Sequence, residues 1–252
     1  MQVRVLPFGI LKESLGSDPF ALDLPGGATV ADLLARLGVQ APAVESLRIA
    51  VSVNAEYADR GHVLSENDEV GLLPPVSGGR GPDPAPQAPK AQTVQNEKPP
   101  TVVQLTRDPI QGHALVSSAK QGEDGAVVVF DGIVRNNSRG RQTLYLDYEA
   151  YEEMATRQMN ELADEAITRF GVRHIAIVHR LGRLHVGETS VLIIVASGHR
   201  AQAYEASRWL IDTLKKTVPI WKKETFVDGA VWADGEPFPP GYAVEGADGP
   251  SS

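Results

Sequence analysis

Alternating apolar and polar positions open the chain and predict a β-strand over residues 2–8. A helix is predicted next, because apolar residues recur at helical spacing over residues 30–37. Thr29 is its expected N-cap, with Asp32 three residues later, and Gly38 is its expected end. Two more strands are expected over residues 49–53 and 70–73. Together these elements predict a small α+β unit in the first third of the chain.

The second half of the chain shows the same two periodicities over a longer stretch. Helical spacing predicts three helices, over residues 112–119, 152–170 and 201–216. Gly171 is expected to end the second of them, and Pro219 prevents the third from continuing. Apolar runs predict strands over residues 102–105, 126–135, 143–148, 175–181 and 191–196. A second α+β unit with its own core is therefore predicted.

The stretch between the two units has a different composition. Residues 80–100 are rich in proline, alanine, glutamine and lysine and carry almost no large apolar side chains, so they are predicted to form a semi-extended linker. The residues after Gly235 are rich in glycine, proline and aspartate and are predicted to be a frayed tail. We therefore predict four segments, with bounds 1–79, 80–100, 101–236 and 237–252.

Composition excludes several classes of protein. The chain of 252 residues has no cysteine, which excludes disulfides, thiolate metal sites and cysteine nucleophiles. It has no apolar run of about 18 residues and opens on a strand pattern rather than a signal peptide, so a cytoplasmic protein without a membrane span is expected. A formal net charge of −8 disfavours nucleic acid and anionic membranes as partners.

Charge is distributed unevenly along the chain. Residues 1–79 hold 5 Lys and Arg against 10 Asp and Glu, whereas residues 101–224 hold 16 against 15. The basic residues of the second unit occur in two groups, which suit a small anion. These groups are Arg135, Arg139 and Arg141, and then Lys215, Lys216, Lys222 and Lys223.

Two glycines follow the last predicted strand of the first unit. Residues 74–79 end in Gly78 and Gly79, and an extended backbone without Cβ atoms can enter a narrow channel that larger residues would block. That shape suits the delivery of a carbonyl carbon. The alternative is that the two glycines simply begin the linker, since proline follows at once.

Two groups of cations flank the last predicted helix. His199 and Arg200 lie where a buried strand meets the N-terminus of that helix, a position that favours an anion such as phosphate. Beyond its other end, a turn at Pro219 is expected to bring Lys215 and Lys222 together. The alternatives are favourable charge at a helix C-terminus for Lys215 and Lys216 and a solvated strand edge for Lys222 and Lys223.

Arg135 is a third candidate, because it emerges from an apolar strand where a buried guanidinium needs an anionic partner. That partner is either a substrate or a nearby acid in a structural ion pair. His179 and His185 lack the companions and the helical i, i+4 spacing of a metal site, so no metal centre is predicted.

Several motifs, taken in order, resemble the two subunits of molybdopterin synthase. Residues 67–70 and 74–79 are similar to the C-terminal end of the small, sulfur-carrier subunit. Five later segments resemble the large, catalytic subunit, and these are residues 130–136, 148–151, 179–182, 197–200 and 214–224. The likeness covers nearly the whole chain except the linker and the last residues. The chain is identified on this basis as a fusion of the two subunits.

The resemblance implies a fold and an activity. It implies a ubiquitin-like β-grasp domain over residues 1–79 and an α/β hammerhead-type catalytic domain after the linker. The implied reaction converts cyclic pyranopterin monophosphate to molybdopterin by transferring two sulfurs, which are carried as a thiocarboxylate on the terminal glycine, here Gly79. No tightly bound cofactor is implied. A homodimer through the C-terminal domain and an ATP-dependent adenylating enzyme that activates Gly79 are the implied partners.

The resemblance also implies roles for individual residues. Lys215 and Lys222 would stabilise the developing oxyanion and transfer protons, and a transient covalent link through either lysine is the alternative. Arg135, His199 and Arg200 would bind the phosphate and the pterin. The residues expected to line the site are Ile133, Val134, Lys223 and Glu224.

The chain departs from the family pattern because its two subunits are fused. Gly79 therefore has no free carboxylate, and an amide carbonyl inside a chain cannot be adenylated. Proteolysis after Gly79 is expected to release residues 1–79. A hypothesis from another class is a ubiquitin-like conjugation or interaction module, in which the second domain serves as a scaffold.

Overall fold

The computed structural model describes residues 1–40, 44, 49–76, 101–138 and 140–232, without the side chains of Gln40 and Val231. The described residues up to Val76 form one compact unit, and those from Thr101 to Val231 form a second. The predicted α+β class is confirmed in both. The predicted linker at 80–100 and the tail at 237–252 lie outside the described residues.

The N-terminal unit is a five-stranded sheet with its main helix packed on one face. The strands are β1 (Gln2–Pro7), β2 (Phe20–Asp23), β3 (Ala50–Val53), β4 (Glu56–Ala58) and β5 (Glu69–Leu73), in the spatial order β2-β1-β5-β3-β4. β1 and β5 are parallel, and the other pairs are antiparallel. The strand pattern predicted at residues 2–8 is confirmed, since Val3 and Val5 are buried while Arg4 faces solvent.

Among its described residues this unit also contains the helices α1 (Lys12–Leu15), after a 3-10 turn at Gly9–Leu11, and α2 (Val30–Gln40). The predicted cap of α2 is confirmed, because the Thr29 amide donates to Asp32 Oδ2 at 2.8 Å and the Asp32 amide donates to Thr29 Oγ1 at 3.3 Å. The predicted end at Gly38 is wrong, since α2 continues to Gln40. A single glycine costs about 1 kcal/mol in a helix, which packing can offset.

The C-terminal unit is built around a four-stranded sheet. Its strands are β6 (Thr101–Thr106), β7 (Ala126–Ile133), β10 (His174–Arg180) and β12 (Thr189–Ser197), in the order β6-β10-β12-β7. Its helices are α3 (Gly112–Ala119), α4 (Glu152–Phe170) and α5 (Arg200–Thr217). α4 and α5 share one core with the sheet, whereas α3 packs in a second, smaller cluster with Ala176, Leu192 and Ile194. The sheet therefore has helices on both faces.

A second sheet in the same unit carries several candidate site residues. Its strands are β8 (Asn137–Ser138), β9 (Arg141–Ala150), β11 (Gly182–His185), β13 (Ile220–Phe226) and β14 (Gly229–Trp232). The order is β11-β9-β13-β14, with β8 paired to β9. None of the helices within the described ranges has the length and apolar character needed to cross a membrane.

Candidate active site

Lys215 lies at the C-terminal end of α5, where the chain turns back into the second sheet. The turn is firmly held: the Val218 amide donates to Leu214 O at 3.1 Å, and Pro219 O accepts the Tyr151 amide at 3.1 Å. β13 begins directly after Pro219 and runs antiparallel to β9. The break that proline forces in the helix therefore leads the chain from Lys215 into the strand that carries Lys222.

Lys222 lies on β13 directly opposite Tyr148 of β9. Its Nζ is 3.0 Å from Glu224 Oε1, and the Glu224 side chain is only 8% exposed. Because neighbouring residues of a strand point to opposite faces, Lys222 and Glu224 share one face while Lys223 points to the other. The predicted lining residues Lys223 and Glu224 are thus separated by the pleat, and only Glu224 accompanies Lys222.

His179, at the end of β10, lies beside this pair of strands. Its ring meets the ring of Tyr148 edge to face, with centroids 5.2 Å apart. Nδ1 is 3.0 Å from Arg180 O, and since a carbonyl only accepts, Nδ1 carries the proton and Nε2 is the acceptor. Burial and, to a smaller extent, the nearby charge of Lys215 together lower the pKa of His179 to about 4. The imidazole is therefore neutral at physiological pH.

The rings of Tyr148 and His179, which contact each other, each have one of the two lysines as a neighbour. Lys215 is close enough to act on the charge of His179, and Lys222 is the cross-strand neighbour of Tyr148. Two cations beside the half-buried Tyr148 and the buried, neutral His179 can stabilise negative charge that develops between them. The sequence argument considered His179 only as a metal ligand and overlooked this role. The signal was present, because both residues fall within motifs that resemble the catalytic subunit.

Ile133 ends β7 at the same end of the unit, and Val134 and Arg135 follow it. Val134 is buried with Leu146 and Leu184, and Tyr148 packs against that cluster. The Val134 amide donates to Glu188 O at 3.0 Å, which fixes the segment. The Ile133 side chain is 55% exposed.

Arg135 is exposed, so the expectation that it is buried, and must find an anionic partner for that reason, is wrong. The basic group that contains Arg135 is also divided. Arg141 pairs with Asp228, with Nη2 and Oδ1 2.7 Å apart, and its guanidinium lies 3.9 Å from the centre of the Phe226 ring. Arg139 lies outside the described residues.

His199 and Arg200 are exposed at the opposite end of α5 from Lys215. His199 is the N-cap and Arg200 is the first helical residue. The 15 residues from Arg200 to Lys215 rise about 1.5 Å each, which separates the two ends by about 22 Å. A single chain therefore brings Lys215, Lys222 and residues 133–135 to one end of the unit, and leaves His199 and Arg200 at the other. Gly78 and Gly79 lie outside the described residues.

Comparison with known proteins gives two family matches in one chain. A family model described as ThiS family matches residues 5–79, and one described as MoaE protein matches residues 105–217. The molybdopterin synthase catalytic subunit of Pyrococcus abyssi is 43% identical over 123 residues, which cover 49% of this chain and 81% of that protein. The protein of the same description from Bacillus subtilis is 40% identical over 129 residues, 51% of this chain and 82% of its own.

Among solved structures, the crystal structure of molybdopterin synthase from Staphylococcus aureus is 39% identical. It covers 55% of this chain and 98% of that chain, with a TM-score of 0.47.

Proposed function

The chain belongs to the family of molybdopterin synthase catalytic subunits, and we propose that it makes molybdopterin with sulfur carried by its own N-terminal unit. It is a sulfur-transferring enzyme of molybdenum cofactor biosynthesis. The carrier domain is residues 1–79, and the catalytic domain is residues 101–236. The observation that supports this activity most directly is the placement of Lys215 and Lys222 around Tyr148 and His179.

The substrate we propose is cyclic pyranopterin monophosphate. Arg135, His199 and Arg200 bind its phosphate and pterin, and Ile133 and Val134 line the site. Glu224 acts through Lys222, because a buried carboxylate would repel a phosphate but holds the ammonium group at 3.0 Å. No tightly bound cofactor is needed, since the sulfur arrives on the carrier, and the reaction takes place in the cytoplasm.

Lys215 and Lys222 work on the acyl carbon of Gly79. The thiocarboxylate sulfur of Gly79 bonds to a pterin carbon as the oxygen on that carbon departs, and water then attacks the acyl carbon, which leaves the sulfur on the pterin and returns Gly79 as a carboxylate. The attack of water places negative charge on the acyl oxygen, which a positioned ammonium group stabilises. A lysine can also supply a proton to the departing oxygen of the pterin. His179 stays neutral beside them, so it adds no competing positive charge to the site.

The first test is molybdopterin formation by the Lys215→Ala chain. The native chain and the variant receive the fragment 1–79 as its thiocarboxylate together with the pterin precursor. We expect product from the native chain and none from the variant. Lys216→Ala is the matched control, because this lysine lies on the same last turn of α5. Equal amounts of product from both chains would refute the role of Lys215, and no product from the native chain would instead favour the ubiquitin-like module.

We further propose that two chains form each site. The length of α5 keeps His199 and Arg200 about 22 Å from Lys215 within one chain. In a symmetric homodimer, a second copy can supply both residues. Mixing an Arg200→Ala chain with a Lys215→Ala chain tests this arrangement. Mixed dimers hold one intact site, so about a quarter of native activity returns after random subunit exchange. A mixture as inactive as either variant would contradict a shared site.

Sulfur loading requires a free carboxylate on Gly79, and we propose that a protease cuts the chain after this residue. A separate ATP-dependent enzyme then adenylates the released terminus and replaces its oxygen with sulfur. Mass spectrometry of the protein purified from its native host is the test, and a fragment ending at Gly79 is the expected result. An active preparation that contains only the full-length chain would refute cleavage.

A further inference from the structure

A loop just before β7 contacts the turn that carries His199 and Arg200. The Gly125 amide donates to Ser197 O at 3.0 Å. A Cβ atom added to Gly125 would lie 2.2 Å from Gly198 O and 3.2 Å from the Gly198 carbonyl carbon. That approach is too close for any side chain, so the contact between these two backbones requires glycine at position 125.

Glycine is required on only one side of this contact, at position 125 and not at position 198. A Cβ atom added to Gly198 would meet only Glu123 O, at 3.9 Å, which is ordinary van der Waals distance. Gly198 therefore has room for a methyl group although it lies in the same contact. This asymmetry provides a matched control within a few ångströms of the residue in question.

An ion pair fixes the loop that contains Gly125. Arg173 Nε donates to Asp124 Oδ1 at 2.7 Å, its Nη2 donates to Oδ2, and the Gln121 amide donates to Oδ2 at 2.8 Å. The Asp124 and Arg173 side chains are 4% and 18% exposed. The hydrogen bond from Arg173 lowers the pKa of Asp124, so the carboxylate stays ionised. The Arg173 amide also donates to Ala196 O at 2.9 Å, which ties the pair to the end of β12.

We propose that Gly125, held by the Asp124–Arg173 pair, is a positioning residue that sets the place of His199 and Arg200 in the substrate site. This proposal rests on the proposed function, which gives these two residues their role in binding. The turn at residues 198–200 is exposed, whereas the loop is anchored through Asp124. When extra volume enters the contact, the turn yields rather than the loop. A displacement of about 1 Å is enough to change how binding groups meet a substrate.

The test compares Gly125→Ala with Gly198→Ala in the full chain, supplied with the thiocarboxylate fragment 1–79. The Michaelis constant (KM) for cyclic pyranopterin monophosphate and kcat are measured, with thermal unfolding as the check on folding. We expect Gly125→Ala to raise KM about tenfold or more while kcat changes little, because the chemical step is assigned to Lys215 and Lys222, which the contact at Gly125 does not hold. Gly198→Ala should raise KM far less than Gly125→Ala, because a methyl group at position 198 meets only Glu123 O at 3.9 Å. A folded Gly125→Ala chain with native KM would overturn the proposal.

Releasing the loop provides a second, independent readout. Asp124→Ala alone loosens the support of the turn and raises KM a few-fold. Combined with Gly125→Ala, it lets the loop move instead of the turn, so the double variant has a KM no higher than that of Asp124→Ala. Strictly additive effects would refute the coupling. If Gly125→Ala does not fold, a folded Asp124→Ala chain with native KM refutes the proposal by itself.

Arg200→Ala separates failure of this inference from failure of the proposed function. A native KM in Arg200→Ala would mean that the turn does not bind the substrate, and the proposed role of His199 and Arg200 would fall. A raised KM in Arg200→Ala beside a native KM in Gly125→Ala would leave that role intact and remove only the positioning role of Gly125.

Discussion

The buried imidazole of His179 makes the stability of the C-terminal unit depend on pH in a defined range. Its pKa is lowered from 6.5 to about 4, first by burial and then by the charge of Lys215, although the bond to Arg180 O opposes this shift. Between these two values the unfolded chain binds a proton that the folded chain does not. The contribution of the neutral ring to the free energy of unfolding is therefore fully present above pH 6.5 and is lost as the pH falls toward 4.

The magnitude follows from the size of the shift. Each pKa unit corresponds to 1.36 kcal/mol, so the whole shift corresponds to about 3 kcal/mol. Lowering the pH from 7.5 to 5 should remove about 2 kcal/mol of this contribution to the free energy of unfolding. Asp124 and Glu188 have lowered pKa values because of hydrogen bonds, so their contributions are lost below this range, as pH falls through their folded values.

Urea unfolding at pH 7.5, 6 and 5 measures the effect, with the fluorescence of the buried Trp221 as a probe of the C-terminal unit. The quantity compared is the loss of unfolding free energy between pH 7.5 and pH 5. We expect this loss to be about 2 kcal/mol smaller in His179→Gln than in the native chain. His113→Gln, at an exposed position on α3, is the control and should lose as much unfolding free energy between pH 7.5 and pH 5 as the native chain. Equal losses of unfolding free energy in the native and His179→Gln chains would refute the reasoning.

Three further variants test single contacts. Glu224→Gln removes the charge that holds Lys222, so single-turnover molybdopterin formation should fall about 10- to 100-fold with an unchanged fold; a native rate would show that the pair does not position the lysine. Thr29→Ala should cost about 1 kcal/mol in urea unfolding of the N-terminal unit, and Asp32→Ala should add little in the same chain because both changes break one cap. Met159→Ala should cost about 2–5 kcal/mol by the same measurement on the C-terminal unit, since the side chain is fully buried; a smaller loss would mean that the core collapses into the cavity.

Local signals predicted the longer elements well. The helices expected at residues 112–119 and 152–170 have those bounds, and the second ends because Gly171 adopts a left-handed φ of 64°. The short strands β4, β11 and β14 were missed. Each has only three or four residues, too few to show a period, and pairing across the sheet rather than local pattern forms them.

The turn between Lys215 and Lys222 could be predicted from local pattern, but the burial of the candidate site residues could not. Pro219 correctly marked a turn between Lys215 and Lys222, because a proline beyond the first turn cannot donate the helical hydrogen bond and clashes with the preceding turn. A strand at Lys222 and Lys223 was only an alternative in the sequence analysis, so the opposite faces of these two lysines were established by β13 in the structure. The exposure of Arg135 likewise depends on where β7 ends, which is at Ile133 rather than two residues later.

The length of α5 limits how one substrate can contact both Arg200 and Lys215. α5 is a single helix without an internal proline or glycine, so the distance between its ends is set by its 18 residues and cannot close by bending. Any substrate that contacts both Arg200 and Lys215 must therefore meet them on two different helices. The turn at residues 197–199 and the turn at Pro219 are each fixed by backbone hydrogen bonds within their own chain. A shared site then needs only that the two chains dock with these preformed ends facing each other, which limits the entropy lost when substrate binds.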